Sequence, residues 1–144
     1  MDPFMAEAIR QAKKSLSEGG IPIGSVLVRN NEIIAVGHNK RVQEQNPILH
    51  AEMDCLNNAG RIGSYKDCVI YSTLMPCYMC GGTLVQFQIP KVVVGENKTF
   101  QGSEEFMNQH GIEVTNLQLA ECSQMMEDFI AKNPDLWFED IGEK

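Results

Sequence analysis

Four side chains in this sequence have the types and spacing for hydrolytic chemistry: His50, Glu52, Cys77 and Cys80. Cys77 and Cys80 stand three apart after Pro76, and on a helix that spacing puts both thiols on one face. Proline suits a helix start, because its missing N–H would find no intrahelical partner there. Thiols at a helix N-terminus sit in the positive end of the macrodipole, which favours the thiolate, the form that binds metal. Two thiolates and a neutral imidazole from His50 would balance the charge of a zinc ion. Structural zinc usually takes four protein ligands, whereas a catalytic zinc keeps three and an open position for water. The remaining histidines, His38 and His110, are not spaced to complete a set of four. A zinc with a vacancy lowers the pKa of its water to about 7. A carboxylate beside it, Glu52, can then move protons between that nucleophile, an acceptor nitrogen and a departing amine. Such help is worth about 10²–10⁴-fold. Residues two apart on a regular helix face away from each other, so His50 or Glu52 must lie in an irregular first turn.

The elements that must hold these groups are legible as periodicities. Residues 5–18 carry Met5, Ala8, Ile9, Ala12 and Leu16 at helical spacing and stop at Gly19-Gly20. Ile21 to Val28 and Ile33 to Val36 read as strands joined by a hairpin at Arg29-Asn30-Asn31-Glu32. A polar loop over 37–49 leads to a helix over 50–59, closed by Gly60. Cys68 to Thr73 is an apolar strand, 77–88 an almost wholly apolar and hence buried helix, and Val92 to Val94 another apolar run. Strand, helix and strand over this stretch predict a βαβ unit with a parallel pair. Ser103 to His110 reads as a short helix, Ile112 to Leu117 as a further strand. Leu119, Cys122, Met125, Met126, Phe129 and Ile130 mark an amphipathic helix ending at Pro134. The expected architecture is α/β: a three-layer α/β/α sandwich around a mixed sheet of about five strands.

The bulk composition narrows the partners. The 144 residues suit a single domain over 1–144, with 43% hydrophobic and 22% charged residues. A formal charge of −7 gives no electrostatic footprint for a polyphosphate, so nucleic acid is not the expected substrate. No stretch approaches the roughly 20 apolar residues of a membrane span, and no signal-peptide pattern opens the chain. Cys55, Cys68 and Cys122 sit in apolar surroundings, as in a reduced, cytoplasmic protein. Met1-Asp2-Pro3-Phe4, ahead of Met5, has the look of a cloning scar.

The motif order H-x-E…P-C-x-x-C resembles that of zinc deaminases acting on nucleobases. The chain is similar to the cytidine-deaminase-like superfamily, and within it to fungal-type, single-domain cytosine deaminases. The likeness runs from Gly19-Gly20-Ile21-Pro22-Ile23-Gly24 through Gly37-His38-Asn39, both metal motifs, Val94-Gly95-Glu96-Asn97 and Phe100 to Trp137-Phe138-Glu139-Asp140-Ile141-Gly142-Glu143. The resemblance implies one zinc per subunit on His50, Cys77 and Cys80, with Glu52 as proton shuttle. It implies that Asn39 bonds the ring carbonyl, that Ile23 lines the apolar wall, and that Phe100, Trp137 and Asp140 close on the base. Residues 134–144 would form a tail over the site. The implied reaction is hydrolysis of free cytosine to uracil and ammonia in pyrimidine salvage, by a homodimer. Alternatives are another small amino-heterocycle (isocytosine, guanine or another purine base, a creatinine-like ring), a nucleoside, or a non-catalytic zinc or redox module. Ala51 replaces the glycine of the fungal enzymes, while Met75 and Tyr78 flank the first cysteine and are expected to border the pocket.

Overall fold

The computed structural model describes residues 1–143 and contains one five-stranded mixed sheet with helices on both faces. Its strands are β1 (Gly24–Arg29), β2 (Glu32–His38), β3 (Cys68–Ser72), β4 (Lys91–Val94) and β5 (Glu113–Asn116). Their order is β2-β1-β3-β4-β5. β1 runs antiparallel to both neighbours, and β3, β4 and β5 are mutually parallel. The tight turn between β1 and β2 places Asn30 at φ 53° and Asn31 at φ 64°. Asparagine tolerates that left-handed conformation, and two such residues in succession match the twist of a hairpin.

Strand alternation divides the core as a period of two requires. Leu27, Ile70, Val92 and Val94 face one layer with Cys55, Leu56, Leu84 and Met107. Val26, Val28, Tyr71 and Val93 face the other with Met5, Ala8, Ile9 and Cys122. The first layer belongs to α2 (Ala51–Ala59), α3 (Tyr78–Gln86) and α4 (Glu104–Gln109). The second belongs to α1 (Pro3–Ser17) and α5 (Ala120–Lys132). A third apolar cluster of Ile21, Ile23, Ala51, Leu74, Met126, Phe129 and Trp137 lies beyond the strand ends. None of the described helices is long and apolar enough to cross a membrane.

Several elements differ from expectation. Residues 134–140 form a helix, α6 (Pro134–Asp140), rather than a simple tail. Pro134 opens it at the first helical positions, where proline costs no hydrogen bond, so this residue both ends one helix and starts the next. Lys144, the last residue of the expected tail, lies outside the described residues. α3 is not buried all round: Cys80, Gly81 and Leu84 face inward, while Tyr78 (68% exposed), Met79 and Phe87 face outward. Its apolar composition concealed the direction in which each side chain points. α1 begins at Pro3 because the Asp2 carboxylate accepts from Phe4 N (2.8 Å) and also from Tyr71 Oη (3.0 Å). Those first residues are built into the fold.

The position of α2 depends on Gly37, where an added Cβ would overlap the Cys55 backbone and the Ala51 carbonyl. Gly37→Ala should therefore destabilise the fold by about 1–3 kcal/mol and weaken zinc binding, because α2 carries the site. Gly82, inside α3 with open space at its Cβ position, should behave oppositely, with Gly82→Ala stabilising by about 0.5–1 kcal/mol. Urea unfolding of both variants checks the pair.

Candidate active site

Beyond the C-terminal end of β3 the chain turns through Met75 and Pro76 into α3, and this turn is fixed from outside. Met75 N donates to the Glu96 carbonyl (3.1 Å), and Ser103 donates to the Pro76 carbonyl through both Oγ (2.9 Å) and N (3.0 Å). Cys77 is then the N-cap of α3, in extended conformation, with Cys80 in the first turn. His50 likewise is the N-cap of α2, with φ −64° and ψ 164°. It stands outside the helical spiral while Glu52 stands within it, which lets residues two apart face one site. Two helix N-termini thus converge, and their unpaired N–H groups favour negative charge between them.

The donor atoms of His50, Cys77 and Cys80 lie within 4.8 Å of one another. His50 Nδ1 is 3.4 Å from Cys77 Sγ and 3.8 Å from Cys80 Sγ. A tetrahedral zinc with ordinary Zn–N and Zn–S bonds requires an N···S separation of about 3.6 Å, so the three fit that ion. Among the described residues no fourth histidine, cysteine or carboxylate joins the set, which suits a catalytic rather than a structural metal. The far ring nitrogen, Nε2, lies 3.2 Å from Asp140 Oδ1. A carboxylate there favours the tautomer that leaves Nδ1 free for the metal. The approach is poorly aimed for a hydrogen bond, and Oδ1 keeps its acceptor capacity.

Without metal, burial works against charge on His50, but Asp140 and Cys77 outweigh it and raise the imidazole to about 10. The Cys80 thiol donating to Cys77, together with His50, lowers Cys77 to about 4, against the effect of burial. Cys80 is pushed well up by that same hydrogen bond and by burial. Burial raises Glu52, 4% exposed, to about 7, with the Cys77 thiolate adding to the rise. A carboxyl near pH 7 can both accept and donate a proton.

Glu52, His50 and Cys77 face a small cavity of about 20 Å³, walled also by Ile23, Leu74, Met75, Phe100, Trp137, Asp140 and Ile141. The Phe100 and Trp137 rings meet edge to face at 5.8 Å. Ile23, Phe100, Trp137 and Asp140 are therefore gathered where the resemblance implied. Asn39 is fully buried beside Ile23, whose carbonyl accepts its N–H at 3.0 Å, rather than on the cavity wall. Its Oδ1 accepts from Arg41 N (3.0 Å), and Nδ2 is left as a buried donor without a partner. Tyr78, expected at the pocket, points away into a separate surface cleft with Gln101 and Glu105. Leu74 and Ile141 were not singled out, although both fall inside the stretches that carry the motifs. Asp54 was missed as well. Its buried carboxylate accepts from His38 N (3.0 Å) and Lys40 Nζ (2.9 Å), tying α2 to the segment that bears Asn39. Only its position one turn beyond His50 hinted at this.

Residues 1–96 match the family model described as the cytidine and deoxycytidylate deaminase zinc-binding region. The chain belongs to this zinc-binding deaminase family. It is 49% identical over 139 residues to a cytosine deaminase of Candida albicans, covering 94% of this chain and 93% of that protein. It is 38% identical over 138 residues to a tRNA-specific adenosine deaminase of Bacillus subtilis, covering 88% and 86%. A solved structure from work on A-to-I editing by tRNA:A34 deaminases superposes with a TM-score of 0.77 at 24% identity, covering 87% of this chain and 99% of that one, and supports the fold. The cofactor of this family is zinc, and His50, Cys77 and Cys80 are positioned to hold it.

At pH 7 the metal-free protein should carry protons on His50, raised to about 10, and on Cys80, but none on Cys77, lowered to about 4. Binding zinc should therefore release at least two protons, one from each of the first two, and affinity should fall as pH falls. Titration calorimetry of the chelator-stripped protein in buffers of different ionisation enthalpy measures that number.

Proposed function

We propose that this chain is a hydrolase that deaminates free cytosine to uracil and ammonia, using one zinc per subunit. The observation that carries the reading is the cover over the site. α6 brings Trp137 and Asp140 across from Glu52, with Ile141 just beyond it, leaving a small half-open space whose aromatic and apolar faces meet four ionisable groups. Such a lining suits a small planar polar ring. The −7 charge opposes an RNA substrate. The likeness to the Candida albicans cytosine deaminase extends over 94% of the chain.

Zinc, when held by His50, Cys77 and Cys80, supplies the Lewis acidity that makes water a nucleophile at neutral pH. The protein's own groups do the rest. Glu52 takes a proton from the attacking water and passes it to the ring nitrogen, then takes the proton of the newly added hydroxyl and delivers it to the departing amine. At its ordinary acidity Glu52 would be a weak base and hold no proton near pH 7; burial corrects this by raising it to about 7. Asn39 lies behind Ile23, off the cavity; its unpartnered Nδ2, the amide held by Arg41 N, is the donor left for the ring carbonyl once the wall moves. Asp140 steadies His50 through Nε2 and accepts from the amino group with its spare oxygen lone pairs. Phe100, Trp137 and Ile23 hold the ring in plane and keep bulk water out.

The wider setting is pyrimidine salvage in the cytoplasm, supported by five free cysteines and no disulfide among the described residues. The outward face of α3, with Tyr78, Met79 and Phe87 exposed, is the contact of a homodimer.

Glu52→Gln should keep stoichiometric zinc and lose at least about 10²–10⁴-fold in turnover, read by metal analysis and ammonia release. Loss of zinc in that variant would make Glu52 a ligand instead. Ammonia release should be faster from cytosine than from cytidine, guanine or adenine; preference for cytidine would overturn the assignment.

A further inference from the structure

The cavity beside Glu52 has room for about one water. No six-membered ring can enter it until part of the wall moves. One side of that wall is α6, which contributes Trp137 and Asp140. Trp137 is seated in the apolar cluster with Ile21, Ile23 and Phe129, and Asp140 lies against His50. A third restraint, belonging to neither the metal site nor the ring-binding wall, comes from Arg41. Its Nη2 is 3.5 Å from Glu139 Oε1, and its Nη1 donates to the Pro47 carbonyl at 3.2 Å. The guanidinium is therefore braced on the loop that leads into His50 while it reaches across to α6. The Arg41 N–H also orients Asn39 through Oδ1. Beside this bridge lies a cleft of about 430 Å³, bounded by Arg41 and Pro47 on the loop and by Leu136 and Glu139 on α6. It gives the helix space in which to shift.

We propose that Arg41 is a positioning residue that latches α6 over the active site through Glu139. Its effect on turnover rests on the deaminase reading above, whereas the latch does not. The ion pair is partly exposed, with side chains 19% and 48% accessible. Such pairs are weak, as befits a cover that must open in every cycle.

The chain carries a single tryptophan, and it is Trp137 on this helix. Acrylamide quenching of its fluorescence in the zinc-loaded protein thus reports on α6 directly. Arg41→Ala and Glu139→Gln should each raise the quenching constant by about 1.5- to 5-fold, the range a partly exposed ion pair allows. Salt at about 0.5 M should move the wild type toward the variants and leave them unchanged. Arg41→Glu combined with Glu139→Arg should return quenching toward the wild-type value. KM for cytosine should rise by a similar factor without a fall in kcat. Should Arg41→Ala fail to fold, the exposed Glu139→Gln and the salt dependence still decide. Wild-type quenching in Glu139→Gln with no response to salt, or a fall in kcat at constant KM, overturns the latch. Failure of the wild type to act on cytosine while the quenching pattern holds would defeat the substrate assignment and leave the latch standing.

Discussion

Everything chemical in this molecule depends on two helices beginning at the same place. α2 and α3 start beyond the ends of β2 and β3, the two strands that flank β1, and the residue just before each helix, His50 and Cys77, is extended rather than helical. An N-cap side chain normally accepts from the helix's own first N–H groups. Neither His50 nor Cys77 does so; both side chains turn toward each other instead. The orphan N–H groups supply positive potential where the thiolate forms, and the thiolate in turn holds the imidazolium. The same donor atoms are spaced for a zinc ion, whose binding would displace those protons.

Around that centre the fold places restraints that carry no chemistry themselves. Gly37 lets α2 lie against the sheet. Asp54 fastens the same helix to the end of β2 through His38 N and to Lys40. Ser103 grips the Pro76 carbonyl, and Gly81 leaves room for the Ser103 side chain. The same burial that raises Glu52 excludes the water that would otherwise keep it a simple anion. Precision at the metal site and the raised pKa of Glu52 thus share one cause, the close packing of α2 and α3 on the sheet.

α6 imposes a different constraint. It completes the enclosure by setting Trp137 into an apolar seat, yet it is tied to the loop ahead of His50 by a single partly exposed ion pair. Strong apolar anchoring and weak polar closure can coexist in one short helix because burial fixes the side chain that faces inward. The charge on the rim stays in contact with solvent, where screening limits its strength.

By itself the sequence brought out the metal-binding set, the carboxylate of Glu52 beside it and the three-layer α/β plan. Local spacing is enough for these: a C-x-x-C after proline, an alternation of two in strands, a repeat near 3.6 in helices. It also brought out Ile23, Phe100, Trp137 and Asp140, through resemblance rather than periodicity. Tertiary structure alone decided which way Tyr78 points, that residues 134–140 are helical, that β1 lies between β2 and β3, and that Arg41, Asp54 and Ser103 support the site. Those facts depend on partners far away in the chain. A side chain's direction and a hydrogen bond across 27 residues, as between Ser103 and Pro76, leave no local periodicity to read.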